Sequence, residues 1–143
     1  MSHSQARNHG LSPGGIDLWY TSVAEVDDPA LLDQYRKLIT ATEAQQADRF
    51  VFDKHRHQYL VTRALVRSAL SYYYDVPPQE WVFAADKFGK PHVAGPRELP
   101  LAFNISHSEG LVICGVADLP LLGVDVERID RRTEPQSIAR RFF

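Results

Sequence analysis

Residues 100–130 read PLAFNISHSEGLVICGVADLPLLGVDVERID, and the patterning of this stretch decides the fold. Three short apolar runs, LAFNIS, LVICGVA and LLGVDVE, are separated by polar or turn-forming residues, the pattern of neighbouring strands. The first run gives way to Asn104, Ser106, His107 and Ser108, and the last carries Asp125 and Glu127 on alternate positions. Residues i and i+2 of a strand share a face, so Val124 and Val126 face a core while both carboxylates point the other way together.

Towards the N-terminus, WVFAAD reads as a strand, DKFGKP as a tight turn and HVAG as the return strand. A long helix is expected from about Asp53 to Tyr74, with Leu60, Ala64, Leu65, Ala69 and Tyr72 at helical spacing. Asp75 to Pro78 stops it, because proline cannot continue the hydrogen-bonding ladder. Thr40 and Glu43 have capping-box spacing ahead of a run of helix formers. PALLDQYRKLI puts Leu31, Leu32, Tyr35, Leu38 and Ile39 on one helical face, with Pro29 near its start. IDLWYTSV alternates Ile16, Leu18 and Tyr20 on one face of a short strand. From Ile129, IDRRTEPQ reads as a loop and SIARRFF as the start of a helix. One strand, then helices, then several strands is the order of an α+β fold, with helices packed on one side of a mainly antiparallel sheet.

The 143 residues suffice for one domain with a real core. A hydrophobic content of 44% and a net charge of −2 describe an ordinary globular chain with no general attraction for nucleic acid or anionic lipid. No apolar run approaches the ~20 residues of a membrane span. The first 15 residues lack an apolar segment and are expected to form a flexible tail, not a signal peptide. Cys114 is the single cysteine; inside LVICGVA it reads as a small buried hydrophobe. The expected location is cytoplasmic.

Several residues could carry chemistry. Asp125 and Glu127 repel one another unless a cation intervenes, and magnesium takes one or two carboxylates together with phosphate oxygens. The other reading is a solvated strand face neutralised by Arg128, Arg131 or Arg132. His107, flanked by the short donors Asn104, Ser106 and Ser108, is either a strand-end histidine or part of a phosphate site. No second histidine or cysteine stands at zinc-ligand spacing. Arg56, Arg63 and Arg67 form a basic stripe on the long helix, of which Arg56 reads as solvated. Lys87 and Lys90 flank Gly89 in a turn that either sits in solvent or aims a lysine at a ligand.

In combination and order, RALVR (63–67), FGKP (88–91), FNISHS (103–108), GVDVE (123–127) and SIARRFF (137–143) resemble the 4'-phosphopantetheinyl transferases of the larger, surfactin-synthetase-activating type. The resemblance runs from about Phe50 to Phe143. It implies an α+β phosphopantetheinyl transferase-like lobe and transfer of the phosphopantetheine arm of coenzyme A to a serine of an acyl- or peptidyl-carrier protein. By resemblance, Arg63 and His107 hold the 3'-phosphate of coenzyme A, with Arg67 beside them. Lys90 lines the nucleotide site, to which Asn104 and Ser106 also belong. Asp125 and Glu127 bind the Mg²⁺ that bridges the pyrophosphate and are the catalytic residues.

Members of this type have two similar halves, the second carrying a WxxKE-like motif that is absent from this sequence. The resemblance therefore implies a tail at 1–15, a first lobe at 16–130, and a linker with the start of the second lobe at 131–143. The alternative is an inactive half-module that at most binds coenzyme A. One flank is expected to expose apolar surface that the second lobe would cover, and to favour self-association. The smaller holo-synthase type is a similar single unit with a different motif order, its acidic strand lying near the N-terminus.

Overall fold

The first two helices start on local capping chemistry. The Asp28 side chain accepts from the Ala30 N–H, and Pro29 opens α1 (Pro29–Arg36). Thr40 and Glu43 form the expected capping box at the start of α2 (Ala41–Asp48). α3 (Asp53–Tyr73) ends just before the Val-Pro-Pro segment. There the Ser71 hydroxyl donates to the Val76 carbonyl and accepts from the Trp81 indole, fastening the turn onto the helix end.

The computed structural model describes residue 11 and residues 13–97, 99–108 and 110–118. GVDVE, with Asp125 and Glu127, lies outside the described residues, as do the expected loop and helix that follow it and the first ten residues. The elements run β1 (Ile16–Ser22), the three helices, a 3-10 turn at Pro78–Glu80, then β2 (Val82–Ala85), β3 (Pro91–Gly95), β4 (Ala102–Ser108) and β5 (Leu111–Ala117). β1, β5 and β4 form an antiparallel sheet in that spatial order, and β2 and β3 form a separate hairpin. The α+β class with antiparallel sheets and helices on one side is what the sequence pattern predicts.

α3 covers one face of the larger sheet. Val66, Ala69, Leu70 and Tyr73 pack with Trp81, Phe103, Cys114 and Val116, while Val61 packs with Val23, Val26 and Val112. Leu65 and Ile105 touch both clusters. Two expected faces shift. Tyr72 is 41% exposed and Tyr73 takes the core position, so the helix presents the Val66–Leu70–Tyr73 line to the sheet. α1 stops at Arg36, before Leu38 and Ile39, and none of its residues is fully buried; it lies on the rim, with Leu31, Leu32 and Tyr35 touching the second cluster.

β1 holds a larger surprise. Its apolar stripe, Ile16, Leu18 and Tyr20, is 51%, 54% and 71% exposed. Asp17 and Trp19 face α3 instead, because the Tyr73 hydroxyl donates to Asp17 at 2.5 Å and accepts from the Trp19 indole N–H at 2.9 Å.

Candidate functional site

The alternation of β4 sorts the FNISHS residues. Phe103 is buried against α3 and Ile105 packs on the same core, so His107 shares their side; it is opposite Val112 in register and exposed at the strand end. Asn104 and Ser106 pair with Gly115 and Ile113 on the other side, the one carrying Leu18 and Tyr20. The single nucleotide-contacting segment expected from the sequence is thus divided between two faces of the sheet, since successive strand residues point oppositely.

Lys90 closes the β2–β3 hairpin. The Asp86 carboxylate accepts from the N–H groups of Phe88 and Lys90, which holds its pKa below the ordinary value, and Gly89 takes the positive φ of 80° the turn requires. The lysine lies beside a small cleft of about 60 Å³ shared with Pro91, His92, Ala102 and Phe103, at the start of β4. His107 stands near the opposite end of that strand.

Arg63 and Arg67 are brought together by Glu43. The Arg63 Nε donates to one Glu43 oxygen at 2.6 Å and the Arg67 Nε to the other at 2.7 Å. Burial alone would raise the Glu43 pKa. The hydrogen bonds from Arg67 and the Thr40 N–H, with the charge of Arg63, outweigh it and leave the carboxyl below its ordinary value. Both guanidinium carbons lie over the Phe83 ring, at 5.2 Å and 4.9 Å from its centroid, and Phe83 packs on Phe103.

The two arginines differ in exposure. The Arg67 side chain is only 4% exposed, and its Nη1 donates to the carbonyls of Pro78 and Trp81. These bonds occupy the Nε and Nη1 of Arg67 in joining α2, α3 and the segment after the proline stop. Arg63 keeps 22% exposure. Arg56 sits apart, bonded to Asp53 and the Phe50 carbonyl. Cys114 is fully buried, and burial pushes its thiol up to about 12, so it serves as a core hydrophobe.

A larger cleft of about 500 Å³ opens at the N-terminal end of α3, lined by Val23, Asp53, Lys54, His57, Gln58 and Gly110. His57 donates its Nε2–H to the Val23 carbonyl at 2.8 Å, and Gly110 belongs to the turn that follows His107. Sequence reading passed over Lys54, His57 and Gln58, although their i, i+3, i+4 spacing places them on one helix face.

In fold, the lobe is similar to a holo-(acyl-carrier-protein) synthase from Bacillus anthracis, solved in complex with CoA (3',5'-ADP). The TM-score is 0.54 at 18% identity, covering 72% of this chain and 93% of that one. In sequence, residues 28–118 match the family described as 4'-phosphopantetheinyl transferase, N-terminal, and the chain belongs to that family. It is 34% identical over 130 residues to the 4'-phosphopantetheinyl transferase HetI of Nostoc sp. (strain PCC 7120), covering 90% of this chain and 54% of that protein. It is likewise 34% identical over 114 residues to the 4'-phosphopantetheinyl transferase Sfp of Bacillus subtilis, covering 78% and 47%. The chain thus spans about half the length of the curated relatives it matches.

Proposed function

We propose that this chain is the coenzyme A-binding lobe of a 4'-phosphopantetheinyl transferase acting on an acyl- or peptidyl-carrier protein. In the reaction a carrier serine oxygen loses its proton to solvent and forms a bond to the phosphorus bearing the pantetheine arm. The bond from that phosphorus to the bridging oxygen breaks, and adenosine 3',5'-bisphosphate leaves. The observation that carries the reading is a tethered guanidinium, Arg63, reaching the surface of a lobe whose residues 28–118 match this family.

In this proposal Arg63 and His107, both on the α3 side of the sheet, meet the 3'-phosphate of coenzyme A. Lys90 meets the nucleotide from the hairpin. Arg67 stands behind Arg63 as an interior strut. Asn104 and Ser106 serve the nucleotide from β4, at the edge of the three described strands of the sheet. Asp125 and Glu127 are hard oxygen donors of the kind magnesium takes, and would hold an ion that offsets the charge of the diphosphate.

The open apolar stripe on β1 is the surface the other half of a full-length protein would cover; without that half, the chain self-associates through it. No helix among the described residues is long and apolar enough to cross a membrane. The single cysteine, Cys114, fits a reducing compartment, and on that ground we place the protein in the cytoplasm.

Calorimetry with coenzyme A and dephospho-coenzyme A tests the binding site. A charge-assisted contact contributes about 1.5–3 kcal/mol, so Arg63→Ala and His107→Ala each weaken coenzyme A binding by about 10- to 100-fold. Binding of the analogue lacking the 3'-phosphate stays nearly unchanged. Equal weakening of both ligands would instead make these residues supports of the fold. In a full-length protein, Asp125→Ala abolishes Mg²⁺-dependent transfer to an apo-carrier.

A further inference from the structure

Of the two arginines on Glu43, only one faces inward with all the donors it uses. Arg67 gives its Nε to Glu43 and its Nη1 to two carbonyls. Arg63 gives Glu43 its Nε alone, and neither Nη makes a hydrogen bond among the described residues. No buried side-chain nitrogen or oxygen among those residues lacks a partner, so the two Nη groups of Arg63 are open to solvent. The Nε of this guanidinium is fastened to Glu43, its central carbon lies 5.2 Å from the centre of the Phe83 ring, and its two Nη groups are left without a protein partner among the described residues. Two guanidiniums against one carboxylate also leave one positive charge in excess.

We propose that Glu43 and Phe83 are positioning residues that hold Arg63 ready for a phosphate monoester; this rests on the reading above, where the group is the 3'-phosphate of coenzyme A. A free arginine side chain carries much rotamer entropy, which an anion must overcome on binding. Glu43 fixes the Nε end and Phe83 fixes the plane, so that entropy is removed during folding. The Nη pair then presents two roughly parallel N–H vectors, the fork that matches two phosphate oxygens. Glu43 leaves the arginine receptive because its single charge is shared with Arg67. The interior salt bridge and the surface donor are two ends of one device.

The test uses Glu43→Gln and Phe83→Leu in this chain, titrated with coenzyme A and with dephospho-coenzyme A. Glu43→Gln should weaken coenzyme A roughly 10-fold, and Phe83→Leu about 3-fold, with the analogue unchanged within about twofold. In ¹⁵N-arginine spectra, the Arg63 Nε–H signal, assigned by its loss in Arg63→Lys, should move and exchange faster with water in Glu43→Gln. If both variants bind coenzyme A like the parent while Arg63→Ala remains selective, positioning is overturned and the phosphate reading stands. Losses equal for both ligands overturn it as well, because they mark a role in folding alone. If Arg63→Ala itself ignores the 3'-phosphate, the underlying reading fails and this inference falls with it. Should Glu43→Gln not fold, Phe83→Leu decides, since leucine fills the ring's place without its π face.

Discussion

The two faces of the β1–β5–β4 sheet contrast sharply. The face under α3 holds Phe103, Val112, Cys114 and Val116, each 0–2% exposed. The other carries Ile16, Leu18 and Tyr20 beside Ile113, Gly115, Asn104 and Ser106, with the three β1 side chains at least half exposed. Alternation in a strand says that two faces differ, but not which one the chain will bury. In β1 the more apolar set is the open one, because Tyr73 claims Asp17 and Trp19 for the covered side. Hydrogen-bond demand at a single helix end therefore decides the orientation of a strand that hydrophobicity would turn the other way.

The largest effect that could break this contrast is Phe103→Ala on the covered face. Removing a buried aromatic costs about 3–5 kcal/mol, so its urea midpoint should fall steeply, and a small change would mean the cluster is loosely packed. The next depends on pH. Glu43 has a folded pKa below its ordinary 4.5, so its contribution is fully present above that value and is lost as pH falls through the folded one. Stability should decline as the solution is acidified past 4.5, and Glu43→Gln should flatten that part of the profile. Tyr73→Phe comes third: losing the bonds to Asp17 and Trp19 should cost about 1–2 kcal/mol in the same titrations. Smallest is Leu18→Lys on the open face, with stability expected within ~0.5 kcal/mol of the parent. Sedimentation should nonetheless show it shifting towards monomer, and an unchanged profile would remove β1 from the proposed self-association surface.

The order of elements was legible because caps, the proline stop and the Gly89 turn are local signals. Which residues meet in space was less so. Glu43 announces its capping box three residues from Thr40, yet nothing in the spacing reveals partners 20 and 24 positions away on α3. Arg63 and Arg67 look equivalent on a helical wheel; only the fold over Pro78 and Trp81 turns one into a strut and leaves the other at the surface. Asn104, Ser106 and His107 are near neighbours in the motif, and the strand period separates them. Lys54, His57 and Gln58 were readable from spacing, but no motif drew notice to them. Asp125 and Glu127 lie outside the described residues.

The pairing of β1 with β5 also sets a timetable. Ile16 is matched to Ala117 and Ser22 to Leu111, so the first strand of the lobe has its partner only when the last described strand has been made. On a ribosome adding about 5–20 residues each second, the intervening stretch of about 100 residues takes about 5–20 s to synthesise. Throughout that interval β1 presents both a bare edge and the Ile16–Leu18–Tyr20 stripe. Local helices and the β2–β3 hairpin form within far less time than this. The nascent lobe is therefore most open to chaperone capture, or to pairing with a neighbouring nascent chain, through a segment it completes last and emits first.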